Sequence, residues 1–354
     1  MRLQRSWWLP SGRLSPHVAL GAGLTLAVLV VVLSSAQGAY AIAPLQLLQL
    51  LGDALQGQAA GSTEHLVFMN IRLPRLILGA AAGAGLGLAG ALMQGMFRNP
   101  LADPGLIGVS GGAALAAACA IVLGPMLLPA LGFKLGGWTL VVCAFAGGVL
   151  VTLLIYGLAQ SAGGTRVSLM LLAGIAGNAL AGAGLGFLSY VSNDEQLRNV
   201  QLWLMGSLGY AQWPTVGLVS AVVVVSAVAA MTLARPLNAI ALGEAQAQLL
   251  GVPVERTKRL AIVVTALAVG GVTAATGVIG FIGLVAPHWV RLLAGPDHRV
   301  VLPCSALLGA SLVVAADAVA RTIVQPAEMP LGVLTALIGV PLFLLMLRQF
   351  RNKL

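Results

Sequence analysis

The stretch Gly83-Ala-Gly-Leu-Gly-Leu-Ala-Gly90, GAGLGLAG, decides how this chain is read. It contains G-x-G-x-x-G at Gly85, Gly87 and Gly90, the spacing of a loop that cradles a nucleotide phosphate. Such a loop has to follow a strand and open the helix of a βαβ unit. Here the glycines lie inside Leu76–Phe97, a run with no charged residue that is long enough to cross a bilayer as a helix. On a helix, Gly79, Gly83 and Gly87 recur every four residues and share one face. That is a tandem small-xxx-small pattern, which lets a neighbouring backbone approach closely. Asp103 stands near the distance of a ribose-binding acid, but Pro100 and Pro104 flank it and no strand–helix–strand pattern surrounds it. The glycines are read as helix packing.

Composition agrees. Of 354 residues, 59% are apolar and only 8% charged, with a mean hydropathy of +0.97. A soluble domain carries about 25% charged residues, so this chain cannot cover itself with a water-compatible surface. It reads as all-α and polytopic, with lipid as its surroundings. The net charge of +9 does not indicate nucleic acid, because the cations sit in short gaps between apolar runs. Cys119, Cys143 and Cys304 and the four histidines are scattered without metal-ligand spacing, so no metal site is expected.

Apolar runs predict ten spans, at 17–38, 73–97, 104–124, 137–160, 168–191, 213–234, 259–276, 278–295, 300–322 and 330–347. With both termini inside, 14 of the 19 Lys and Arg fall on the cytoplasmic face. Only Arg72, Arg75, Lys134, Arg198 and Arg321 fall outside. The chain is a single membrane domain, 1–354, with cytoplasmic tails at 1–16 and 348–354. The first span has a rival reading: three arginines, an apolar core and "SSAQGAYA" resemble a secretory signal peptide, whose cleavage would leave nine spans. We read the span as retained. Near Gly277, "AATGVIG" offers the turn between two nearly continuous spans.

Ionisable residues are almost absent from the spans. The exceptions, Asp317 and Arg321, are four apart and neutralise one another across a helical turn. An ion-coupled transporter usually needs acids near the midplane. The outward arginines of "IRLPR", Arg72 and Arg75, suit headgroup snorkelling or an acidic partner outside. The loop 235–258 reads as two short helices, one capped by Asn238 and broken at Leu242-Gly243, the next begun by "EAQAQLL" and ended by Gly251-Val-Pro253. It suits docking or an interfacial position. No Gly-Lys dipeptide occurs, so a Walker A loop is excluded and any ATP must be hydrolysed by another subunit.

The blocks "RLPRLILGAAAGAGLGLAGALMQGMFRNPLADPGLIGVSGGAALA" (72–116), "LLAGIAGNAL" (171–180), "WLMGSLGYAQW" (203–213), "LGEAQAQLLGV" (242–252), "GFIGLVAPHWVRLLAGPDHR" (280–299), "ADAVAR" (316–321) and "EMPLGVLTALIGVPLF" (328–343) stand in an order that resembles the FecCD family. These are the permeases of ABC importers for iron–siderophore complexes, haem and cobalamin. The resemblance implies a type II importer fold with two five-span halves of opposite topology. It also implies a homodimer in the inner membrane, translocation along the dimer interface, and no enzymatic activity or bound cofactor in this subunit. Two cytoplasmic ATPases would dock on Leu242, Gly243, Glu244, Ala245, Leu250 and Gly251. A periplasmic binding protein would present acids to Arg72, Arg75 and Arg321. The cytoplasmic gate maps to Asn99 and Leu101 of "NPL", with a second gate at Val167 and Ser168. "GLIGV" (105–109) and "GVIGF" (277–281) echo one another faintly between the halves.

The stretches 194–213 and 99–117 are most similar to the haem-importing branch, which implies haem as the solute, with ferric siderophore and cobalamin as alternatives. Met93, Met96, Met170, Met205 and Tyr190 are positions where a haem path could offer a ligand, although Met more often fills a core. The rival classes are an ion-driven transporter and an intramembrane enzyme using His288, Asp297 and His298. A structural position for that trio, at the loop after span eight, is the expectation.

Overall fold

The computed structural model describes residues 13–37, 52, 63–130, 136–161, 164–324 and 326–351. Among the described residues eight helices are long and apolar enough to cross a membrane, and two shorter apolar helices complete the ten predicted spans. In chain order the spans are α1 Pro16–Ala36, α2 Thr63–Phe97, α3 Val109–Val122, α5 Thr139–Leu158, α6 Val167–Val191, α8 Trp213–Thr232, α11 Val254–Thr276, α12 Ile282–Ala294, α13 His298–Thr322 and α14 Leu331–Arg351. Short helices α4 Gly124–Ala130, α7 Asp194–Leu204, α9 Ala234–Ala241 and α10 Glu244–Leu249 lie between them. A two-residue hairpin, β1 Gln160–Ser161 with β2 Gly164–Thr165, joins α5 to α6. We call the end holding α9 and α10, where the cations concentrate, the inner end.

Helix α2 is the axis. From Leu76 to Phe97 nearly every residue is buried, because small residues let neighbours close on it from several sides. A Cβ on Gly83 would sit 2.1 Å from the carbonyl of Gly309, and one on Gly87 2.1 Å from that of Ser305, both on α13. Gly90 faces the Gly283 carbonyl of α12, while Gly85 faces Val223 of α8 and Val272 of α11. The three glycines of the apparent nucleotide motif are therefore consumed by contacts with four different helices. Gly79 differs, since its nearest neighbour is the Leu208 side chain. At its outer end α2 widens into a π-helical turn, Phe68–Arg72, where Leu73 N–H bonds back to the Phe68 carbonyl. The wider turn accommodates Pro74, which lacks an N–H to continue the ladder.

Helix α2 stops at Arg98, in the left-handed region (φ 50), where its N–H bonds back to the Gln94 and Gly95 carbonyls. Asp103 then accepts the Gly105 N–H and caps a 3-10 turn, Pro104–Ile107, so the third span starts at Val109 rather than at 104. The turn near Gly277 is equally specified. Its φ is 70, and a Cβ there would meet the Trp203 carbonyl at 2.2 Å. In each half a long buried helix, α2 or α11, is thus linked through the echoing GLIGV or GVIGF segment to a short apolar one, α3 or α12. The two pairs run in opposite senses through the bundle.

Candidate functional site

Polar chemistry gathers at the two ends. At the outer end, α1, α2 and α13 meet around an ion cluster. The Arg75 guanidinium binds Asp317 through Nε at 3.1 Å and Nη2 at 2.9 Å, and reaches Glu328 at 2.9 Å. Arg321 holds the other side of Asp317 at 3.1 Å. The expected i,i+4 pair is present, but it shares its carboxylate with a second helix. Asp317 is 3% exposed, so the cluster is nearly dry, and an unpaired charge there would be costly.

Two of the arginines also complete α1. A helix leaves its last carbonyls without intrahelical donors. Arg72 donates to the Ser35 carbonyl at 2.8 Å, and Arg321 donates to those of Gln37 (3.1 Å) and Ser34 (3.3 Å). Arg72 and Arg75 are 6% and 9% exposed, so the outward arginines belong to the chain's own architecture before any partner arrives. Glu328, whose side chain is about half exposed, gives no signal in the sequence beyond being an acid near a span end.

Elsewhere at the outer end the amphipathic α7 packs against α3 and the end of α6. Asn193 and Gln196 close its capping box, a pattern legible in N-x-x-Q. Trp203, Tyr210, Asn199, Gln212 and Thr215 line a cavity of about 410 Å³ here. Of the residues considered as haem-path ligands, Met93, Met96 and Met170 are core filler at 2% exposure or less. Tyr190 and Met205 are exposed.

At the inner end, α9 and α10 form the expected two-helix loop. Helix α9 starts at Ala234, directly after α8, so Asn238 lies inside it and does not cap it. Its amide instead donates to Asp297 Oδ1 at 2.6 Å, and its carbonyl oxygen accepts the His298 N–H at 2.9 Å. Burial pushes the Asp297 carboxyl up, but the Arg299 N–H, the Asn238 amide and the Arg299 charge outweigh it and hold the group below its ordinary value. This lock is therefore fully present above the ordinary carboxylate range and is lost as the pH falls through the lowered value. His298 also meets Arg291, which donates to Gln94 of α2. Asp297 and His298 thus join helices, and among the described residues no group of three or more His, Cys, Asp or Glu could hold a metal.

Gly243, at φ 121, separates α9 from α10, and Gly251, at φ 78, ends the second helix. Ile240, Ala247 and Val254 make a small core of their own, leaving Leu242, Leu249 and Leu250 at 68%, 89% and 65% exposure. Glu244 and Ala245 open α10. Asn99 is exposed and accepts the Leu101 N–H, shaping the NPL turn. Val167 and Ser168 begin α6. A cavity of about 450 Å³ is lined by Met96, Arg98, Thr165, Val167, Ser168 and Glu244, so it brings the second predicted gate beside the end of α2 and the start of the coupling loop.

Among the described residues, ten apolar helices with ion pairs gathered at the bundle's two ends define a polytopic membrane protein. The chain belongs to the FecCD transport family, whose pattern matches residues 26–349, and is a permease subunit of an ABC importer. It is 44% identical over 344 residues to the hemin transport system permease protein HmuU of Yersinia pestis, covering 97% of this chain and 99% of that one. It is 43% identical over 287 residues to the cobalamin import system permease protein BtuC of Halobacterium salinarum, covering 81% and 74% respectively. A solved ABC transporter in an inward-facing conformation aligns with a TM-score of 0.79 at 30% identity, covering 93% of this chain and 98% of that one.

Proposed function

We propose that this permease imports haem across the inner membrane by alternating access, as a homodimer served by two cytoplasmic ATPases and a periplasmic binding protein. The observation carrying the haem reading is the nearly full-length 44% identity to a hemin permease. Cobalamin is the second reading, carried by the 43% identity to a cobalamin permease over a smaller part of the chain. Ferric siderophore is the third.

The charge bias supports a cytoplasmic position for both termini. The homodimer reading is supported by α6, whose Gly182 and Gly186 face open space between exposed Leu180 and Phe187 in the single chain. The ATPases dock on Leu242 through Gly251, rocking the permease between its inward- and outward-open states through the rigid pair of loop helices. The binding protein's acids meet the outer cluster. Arg75 and Arg321 hold Asp317 between them, and Glu328 is the half-exposed member an incoming carboxylate would displace. Such pairs orient the partner and speed its arrival more than they tighten it.

The test has two parts. The purified cognate binding protein should show a Soret band, whereas a cobalamin or ferric-siderophore spectrum replaces the solute assignment. In proteoliposomes holding the permease and its ATPase, uptake should require ATP. Uptake driven by a proton or sodium gradient without ATPase overturns the importer mechanism itself.

A further inference from the structure

Lys258 is the most buried Lys or Arg among the described residues, at 2% exposure, although it stands one helical turn inside the inner end of α11. An ammonium has three protons to place. Nζ donates to Glu244 Oε2 at 2.7 Å, Glu255 Oε1 at 3.2 Å and the Thr165 carbonyl at 3.1 Å. These acceptors come from three segments: the coupling loop helix α10, α11 itself and strand β2. The second oxygen of Glu255 accepts the Thr165 N–H at 2.9 Å and its hydroxyl at 2.7 Å. Every polar group of Thr165 is therefore held by Lys258 or Glu255. Gly164, at φ 102, lets β2 come this close, since a Cβ there would lie 2.7 Å from the Glu255 carboxylate. Two residues beyond Thr165, α6 begins at Val167.

A buried ion pair stabilises little over an apolar contact of the same shape. It does fix register, because the pair has one satisfied arrangement and any slip strands a charge. A compact ammonium on a flexible stem can collect acceptors arriving from three directions. We propose that Lys258 is the positioning residue that makes α10, α11 and the start of α6 move as one body, transmitting displacement of the coupling loop to Val167 and Ser168. This inference rests on the ATPase-driven reading above and names the joint through which the drive reaches the second gate.

The experiment uses the full complex with its ATPase in lipid nanodiscs. Cys119, Cys143 and Cys304 are replaced by Ser, Ser168→Cys carries a spin label, and the distance between the labels of the two protomers is read with and without ATP and vanadate. In the wild-type background the distance should shift with nucleotide. In complexes that still carry ATPase, Lys258→Met should shrink that shift by about fivefold or more, as for loss of a typical coupling free energy. Glu255→Gln, on a side chain 40% exposed, should weaken it in the same direction, and it decides alone if Lys258→Met does not assemble. A shift of full size in either assembled variant overturns the inference and leaves the importer reading intact. No shift in the wild-type background overturns the gate assignment, and this inference with it.

Discussion

Gly83 and Gly87 show how one missing Cβ determines a helix contact. A Cβ on either would lie 2.1 Å from a backbone carbonyl of α13, far inside any real Cβ contact, and a helix backbone cannot rotate away. Gly79, on the same face, meets the end of the Leu208 side chain at 2.9 Å, which can change rotamer. Gly83→Ala and Gly87→Ala should each destabilise the permease by about 1–3 kcal/mol or more through overpacking, and Gly79→Ala by clearly less. Thermal unfolding in detergent checks the ranking, and equal effects at all three positions would count against it. The four-residue spacing made the stripe legible in sequence. Which glycine meets backbone and which meets a side chain was not, because that depends on the register of α13 against α2.

At the scale of elements, the coupling loop is a pair of short helices whose apolar residues divide between an inward core and an outward face. Leu249 and Leu250 are exposed where an apolar residue gains nothing from the fold itself. The double change Leu249→Asp with Leu250→Asp should reduce association with the ATPase by about tenfold or more, as for loss of an interface anchor. The melting temperature of the permease alone should stay within a degree or two, since neither side chain is part of the Ile240–Ala247–Val254 core. Copurification with the ATPase, together with a melting curve, measures both. The helix breaks at Gly243 and Gly251 were legible, because only glycine takes such backbone angles cheaply. The bonds of Asn238 and Lys258 were not. Glu255 lies three residues from Lys258 on one helix, but the partners Asp297 and Thr165 lie 59 and 93 residues away, and no local spacing encodes those.

Over the whole molecule, α1 is tied to the bundle by Arg72 and Arg321, which cap its last carbonyls, and by its packing along α13. A signal peptide is cut away without loss, whereas removing α1 would leave two guanidiniums with fewer partners in a nearly dry cluster. The mature protein should therefore retain its first span. The intact mass of the purified subunit checks this, and a mass lacking the residues before Ala39 or Ala41 would overturn it. The opposed pairs α2–α3 and α11–α12 likewise give a physical form to the echo between GLIGV and GVIGF. In each pair a glycine with positive φ, Gly108 or Gly277, lies in the link between the long helix and the short one.

Composition and periodicity alone determined that this chain lives in lipid, crosses it ten times, carries its cations mainly on one side and hydrolyses no ATP through a Walker A loop. Those properties are set by runs of side chains along the chain, so they are local. The tertiary structure alone decided which residue answers which. It turned the outward arginines into caps for α1 and partners for Asp317, moved Asn238 from a cap to a tie, and buried Lys258 at the meeting of three segments. Hydrogen bonds and ion pairs depend on distances between remote helices, and those distances exist only once the bundle has closed.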